Sequence, residues 1–354
     1  MASPRALVCP DKYRGSLSAH DAAAAIGRGL RRSAIETRLL PLADGGEGTL
    51  DVLLEGVGGE LRTATVTGPL GNLVNAAWAL LVDGTAVVEM ARASGHGVGG
   101  RRRDPRGATT FGTGELIAAA GREAARIVVC LGGSATTDGG LGAVEALGWR
   151  LPSVPVALAC DVETTFLDAA RVYGPQKGAS PADVRFLEDR LRAIAGTYRD
   201  RLGLDVTALP GSGAAGGLGG GLAALGATVE RGFELVADTL GLRAAMEGAD
   251  LIITGEGALD PTSFAGKVIG GVLRTAPSGS EVHAIVGRAT AEGIERASGV
   301  VRVRTLLERA GDAGVAMRDA ARLLEEIATE IGHEVVRTVT MPGEGPAKDP
   351  EVDP

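Results

Sequence analysis

Several short apolar runs in this chain stop abruptly in clusters of glycine, aspartate and serine. Residues 7–9 (LVC) lead into 10–16 (PDKYRGS), and 128–131 (VVCL) lead into 132–140 (GGSATTDGG). Residues 157–160 (ALAC) are followed by Asp161, and 251–253 (LII) by 254–260 (TGEGALD). Between such runs lie helix-length amphipathic stretches. Strands that alternate with helices, rather than with tight turns, call for parallel pairing and an α/β architecture. In such sheets ligands bind beyond the carboxyl ends of the strands, where these polar clusters fall.

Glycine accounts for 55 of the 354 residues, roughly twice the usual share of about 7 %. No three-residue period accompanies it, which excludes collagen. With 16 prolines added, the sum stays below the roughly 25–30 % of low-complexity chains. Hydrophobic residues make up 45 %, enough for packed cores, so the glycine excess is expected in folded loops. Two domains are expected at this length. Acidic residues outnumber basic ones, 44 to 36, and aromatics are 3 %; neither a basic footprint nor a stacking platform for nucleic acid is present. Three cysteines without paired spacing argue for a reducing compartment. The first residues lack the apolar stretch of a signal peptide, and no apolar run reaches membrane-spanning length. A cytoplasmic protein is the expectation.

The ends of the chain read as one doubly wound domain. Strands are expected at 5–9, 37–42, 250–254, 281–286 and 300–305, with helices at 18–32, 49–55, 264–274, 289–297 and 315–331. The middle differs. Residues 60–66 and 76–90 read as antiparallel strands with a hairpin turn at Asp83-Gly84, followed by strands at 126–131 and 154–160 and a charged helix at 182–202. The expected division is therefore 1–61 with 245–340 as a discontinuous flavodoxin-like domain. An inserted, glycine-rich mixed-sheet α/β domain takes 62–244, and 341–354 form a disordered tail.

Small residues let backbone N–H groups approach an anion, and a following helix adds its positive end. Such loops beside carboxylates suit phosphoryl transfer with a magnesium-bound nucleotide. Other motifs are weaker. Residues 211–216 (GSGAAG) match the dinucleotide fingerprint literally but follow a poor strand end. A Walker A motif is absent, since Gly266-Lys267 is followed by Val268. The histidines and cysteines have no zinc-ligand spacing, and Arg101 to Arg103 read as a solvated loop.

At these loops the sequence resembles the type I glycerate kinases, the glycerate 2-kinase family. The matching stretches are 10–18 (PDKYRGSLS), 44–49 (DGGEGT), 66–71 (VTGPLG) and 112–117 (GTGELI). They continue with 132–140, 159–162 (ACDV), 174–179 (GPQKGA), 213–219 (GAAGGLG) and 253–260, with Ser263 and Gly266-Lys267. The stretch after residues 146–148 (ALG) is shorter than is usual in the family, and 163–167 (ETTFL) replaces its Asn-Pro-Leu. The resemblance implies two α/β domains with the cleft between them, and ATP- and Mg²⁺-dependent phosphorylation of D-glycerate to 2-phosphoglycerate. Another hydroxy-acid kinase, or a non-catalytic ligand-binding protein on the same fold, is the alternative.

On that reading a carboxylate must orient the glycerate hydroxyl and accept its proton. Asp44, Asp161 and Asp260 are the candidates, with Asp161 the preferred base and Asp44 or Glu256 assigned to magnesium. Lys12 and Arg14, with Ser16 in the same loop, are assigned to the substrate carboxylate. Gly132, Gly133, Ser134, Thr136, Lys177 and Lys267 are assigned to the phosphates of ATP. No oligomeric state follows from the sequence.

Overall fold

A computed structural model describes residues 4–98 and 103–340. The expected tail at 341–354, with Arg101 and Arg102, lies outside the described residues. Eleven strands occur among the described residues. They are β1 (Arg5–Val8), β2 (Glu36–Leu39), β3 (Gly59–Thr67), β4 (Leu73–Leu81), β5 (Thr85–Glu89), β6 (Arg126–Cys130), β7 (Val156–Ala159), β8 (Thr228–Glu230), β9 (Leu251–Leu259), β10 (Glu281–Ala289) and β11 (Arg302–Thr305). They form two sheets, and the chain divides into two units.

The first unit takes residues up to 40, 245–259 and those from 277 onward. Its strands run in the order β11-β10-β9-β1-β2, all parallel. Counted along this unit alone, that is the 2-1-3-4-5 order of flavodoxin-like sheets. The first helix, Ala19–Arg32, begins where the sequence places it. Ser18 caps it by accepting the Asp21 N–H at 3.0 Å, as short hydroxylated residues do at helix starts. Its buried Ala22, Ile26 and Leu30 recur at a spacing of four and share a core with Leu324, Ile327 and Ile331 of the helix Ala320–Thr340.

The second unit takes residues 41–244 and 260–276. Its sheet runs β3-β4-β5-β6-β7-β8. The first two pairings are antiparallel and the rest parallel, with the Asp83-Gly84 hairpin turn joining β4 to β5. Trp78, Val88, Ile127, Val129, Leu158 and Leu218 meet in its core.

Three features differ from the sequence expectation. The first crossing between units falls at residue 41 rather than near 61. The reason is Glu89 at the end of β5, whose Oε1 accepts the N–H groups of Gly48 and Leu50 at 2.8 and 2.9 Å. The helix Thr49–Val57 is thereby tied to the second sheet. Residues 260–276 also join the second unit, because Gly271 of the helix Val268–Thr275 lies against the Phe233 ring with no room for a Cβ.

Second, β9 does not end at Thr254. It continues through Gly255, Glu256 and Gly257 to Leu259, because β10 pairs with it as far as Ala289 opposite Leu259. Third, the glycine-rich run at 211–221 is mostly not a loop. It passes from a turn into the buried helix Ala214–Ala224, kinked through left-handed Ala215, Gly216 and Gly217. A Cβ on Gly216 would stand 2.0 Å from the Thr136 carbonyl oxygen, so glycine here serves close packing of backbone on backbone.

Candidate active site

In the second unit, three of the sequence-predicted clusters converge. Gly45 lies against Gly232, and Gly46 against Gly132, so closely that a Cβ on Gly45 or Gly132 would stand 2.7 or 2.6 Å from the facing Cα. These contacts between bare backbones draw the loop after Pro41, the loop after β6 and the end of β7 around one cavity of ≈ 190 Å³. Asp44, Gly132, Gly133 and Asp161 line it, together with Tyr173 and Gln176.

Asp161 is anchored at the start of the helix Gly232–Thr239. Its Oδ1 accepts the Gly232 N–H at 2.9 Å, and its Oδ2 accepts the Phe233 N–H at 3.2 Å. Burial pushes its carboxyl up to about 7, the charge of Asp44 adds to the rise, and the two N–H groups pull against it. A carboxylate poised near neutrality has the protonation behaviour of a general base. Two carboxylates lining one cavity also suit a divalent cation, and magnesium takes one or two such ligands beside substrate phosphates. Among the described residues no cluster of three or more metal-ligating His, Cys, Asp or Glu side chains occurs.

The other predicted residues are distributed as follows. Gly266, left-handed at φ 103°, lies beside Asp161, with its Cβ position 3.4 Å from that residue's own Cβ. Lys267 follows and starts the helix Val268–Thr275. Asp260 accepts the Thr262 N–H at 2.8 Å as the cap of the turn Pro261–Phe264. Against partial burial, which raises it, the bond from the Thr262 hydroxyl and then the charge of Lys267 hold its carboxyl below the ordinary range. Ser134 and Thr136 are buried, and neither lines the cavity. Lys177 is buried too, its Nζ donating to the Thr136 carbonyl.

Lys12, Arg14, Ser16 and Glu256 belong to the first unit. Lys12 is half-buried, with Nζ 3.6 Å from Asp11, and Arg14 is exposed. The Ser16 hydroxyl donates to the Met317 carbonyl at 2.5 Å. Glu256 is a buried strand residue of β9 rather than a loop residue.

Sequence reasoning passed over Tyr173 and Gln176 as cavity residues and Glu89 as the anchor of the Asp44 loop. An acid closing the buried run Val87-Val88 was the available signal for Glu89.

The chain matches the Glycerate kinase family over residues 6–153 and 149–336, and the join falls at the short connection after Gly148. It is 41 % identical over 345 residues to an uncharacterized protein of Mycobacterium bovis, covering 92 % of this chain and 90 % of that one. It is 38 % identical over 355 residues to a glycerate 2-kinase of Escherichia coli, covering 89 % and 93 %. A crystal structure assigned to a glycerate kinase 2 of Salmonella typhimurium superposes with a TM-score of 0.78 at 34 % identity, over 96 % of this chain and all of that one. The glycines pressed against one another around Asp44 and Asp161 thus stand in a chain that belongs to the glycerate kinase family.

Proposed function

We propose that this protein transfers the γ-phosphoryl group of ATP to the 2-hydroxyl of D-glycerate, giving 2-phosphoglycerate and ADP, in the cytoplasm. The observation that carries the reading is the cavity lined by Asp44 and by Asp161, the latter held by two backbone N–H groups, between glycine-rich loops. Family membership supports the reaction class, and the loop chemistry supports the phosphate.

The hydroxyl of glycerate is a poor nucleophile at neutral pH. Asp161 orients it and accepts its proton as the new O–P bond forms. The helix Gly232–Thr239 keeps that carboxylate from rotating away. Magnesium, when bound, neutralises the charge of the phosphates, and Asp44 is the residue to hold it. Gly132 and Gly133 allow backbone N–H groups to approach the polyphosphate, and Lys267 adds a cation next to the glycine that touches Asp161. Lys12 and Arg14, beyond the end of β1, are the proposed grip on the substrate carboxylate. Ser16 and Asp260 are already engaged as structural bonds and take a secondary place.

The test is ATP turnover with D-glycerate, L-glycerate and other small hydroxy acids, coupled through enolase so that 2-phosphoglycerate is identified. Asp161→Asn should lower kcat by about a hundredfold or more while the circular dichroism spectrum stays native. Near-normal turnover in that variant removes Asp161 as the base. Nucleotide binding with no turnover of any acid would favour a non-catalytic ligand-binding protein.

A further inference from the structure

The second unit holds another cavity, which shares no lining residue with the one around Asp44 and Asp161. Lys177, Arg103, His96, Asp104 and Ala135 are among its walls, and its ≈ 20 Å³ admits a single water-sized group. Neighbouring residues face the two cavities alternately: Gly133 and Gln176 face the first, Ala135 and Lys177 the second.

The charge balance of this cavity is unusual. Lys177 is 3 % exposed, and its Nζ makes one hydrogen bond among the described residues, to the Thr136 carbonyl at 2.5 Å. An ammonium carries three donors, so two are left to fill. Asp138, the acid whose charge Lys177 feels, is taken up by Thr110 and by the N–H groups of Gly140 and Gly142. The exposed Arg103 brings a second cation, and among the described residues its Nη1 donates to the Gln176 carbonyl at 3.4 Å. The acid on the same wall, Asp104, has Oδ1 engaged by the Gly107 N–H at 2.9 Å. Asp138 offsets only part of the cost of burying this ammonium, and an anionic oxygen in the cavity would offset more of it and fill the remaining donors.

We propose that this cavity is a second oxyanion site, in which Lys177 and Arg103 take an oxygen of a phosphate or carboxylate carried by one of the reactants. The binding stands on the geometry alone; its link to a reactant rests on the kinase reading above. A nucleoside polyphosphate, or a hydroxy acid beside it, brings more than one anionic group to such a pair of cavities. The reading also gives the Arg101–Arg103 run a member with a partner, where the sequence suggested only a solvated loop.

The experiment titrates inorganic phosphate into the full chain and reads binding by calorimetry. Saturable binding is expected, weakened at least about tenfold by Lys177→Met and by Arg103→Met. Asp161→Asn should keep that binding even where it abolishes turnover, which separates failure of this site from failure of the kinase assignment. Displacement of phosphate by a non-hydrolysable ATP analogue identifies the nucleotide as the source of the anion, and displacement by D-glycerate identifies the acid. Phosphate that does not saturate, that binds both variants as it binds the wild type, or that neither reactant displaces would overturn the proposal. Arg103→Met alters an exposed side chain and carries the test if Lys177→Met does not fold.

Discussion

At the scale of single residues, two ionisable groups of the second unit are moved toward neutrality by burial from opposite sides. Asp161 is pushed up to about 7 and Lys177 is drawn down to about 7. In each case loss of solvation disfavours the charged form. For Lys177 the consequence reaches stability. Its folded pKa lies below the ordinary value of 10.5, so between those values the unfolded chain binds the extra proton. Its contribution to stability therefore rises as pH climbs from about 7 toward the ordinary lysine range, and below pH 7 the full penalty stands. Urea unfolding of wild type and Lys177→Met across pH 7 to 10 checks this. The wild type should gain stability relative to the variant as pH rises, and parallel curves would contradict the burial of a titrating ammonium.

At the scale of elements, the decisive contacts are between backbones or from a side chain to a backbone. The helix Thr49–Val57 starts at left-handed Gly48, which has no side chain to cap it. Glu89 from β5 supplies the missing acceptor, and its Oε2 meets Arg92 Nε at 3.0 Å. Arg92 in turn grips both oxygens of Asp51 at 2.8 Å. Glu89→Ala leaves two N–H groups without their acceptor and should cost about 1–3 kcal/mol. Chemical denaturation would measure it, and a loss within a few tenths of a kcal/mol would mean that water replaces the carboxylate. The helix start at Ser18 was legible because a cap and its helix are neighbours in sequence. Glu89 was not, because it caps a helix about forty residues earlier in the chain. The run at 211–221 misled for a related reason. Glycine marks loops when seen alone, yet here it permits a helix to lie against Gly139, Phe166 and the Thr136 carbonyl.

At the scale of the whole molecule, the cysteines report on both units. Cys9 belongs to the first unit and Cys130 and Cys160 to the second. All three are free and buried. Burial raises the thiol pKa of each, that of Cys160 to about 11, and the reactive thiolate is thereby suppressed. A thiol reagent at pH 8 should label the native protein very slowly and modify all three cysteines in denaturant. Rapid labelling of Cys9 in native buffer would show that the first unit opens around β1. No helix among the described residues is long and apolar enough to cross a membrane.

The sequence by itself determined the α/β class, the return of the chain to its first sheet, the family, and the clusters that carry Asp44, Gly132 and Asp161. Those features are local, since alternating runs, caps and loop motifs each lie within a few consecutive residues. Only the tertiary structure decided that residues 41–58 and 260–276 pack with the second sheet, that Glu256 is a strand residue, and that Lys177 points inward beneath Thr136. Each of those outcomes depends on a partner far away in the chain: Glu89 for the first helix, Phe233 for Gly271, β10 for β9, and the Thr136 carbonyl for Lys177. A contact of that kind leaves no period or spacing in the sequence, because it forms only when distant segments are pressed together and one bare backbone finds room beside another.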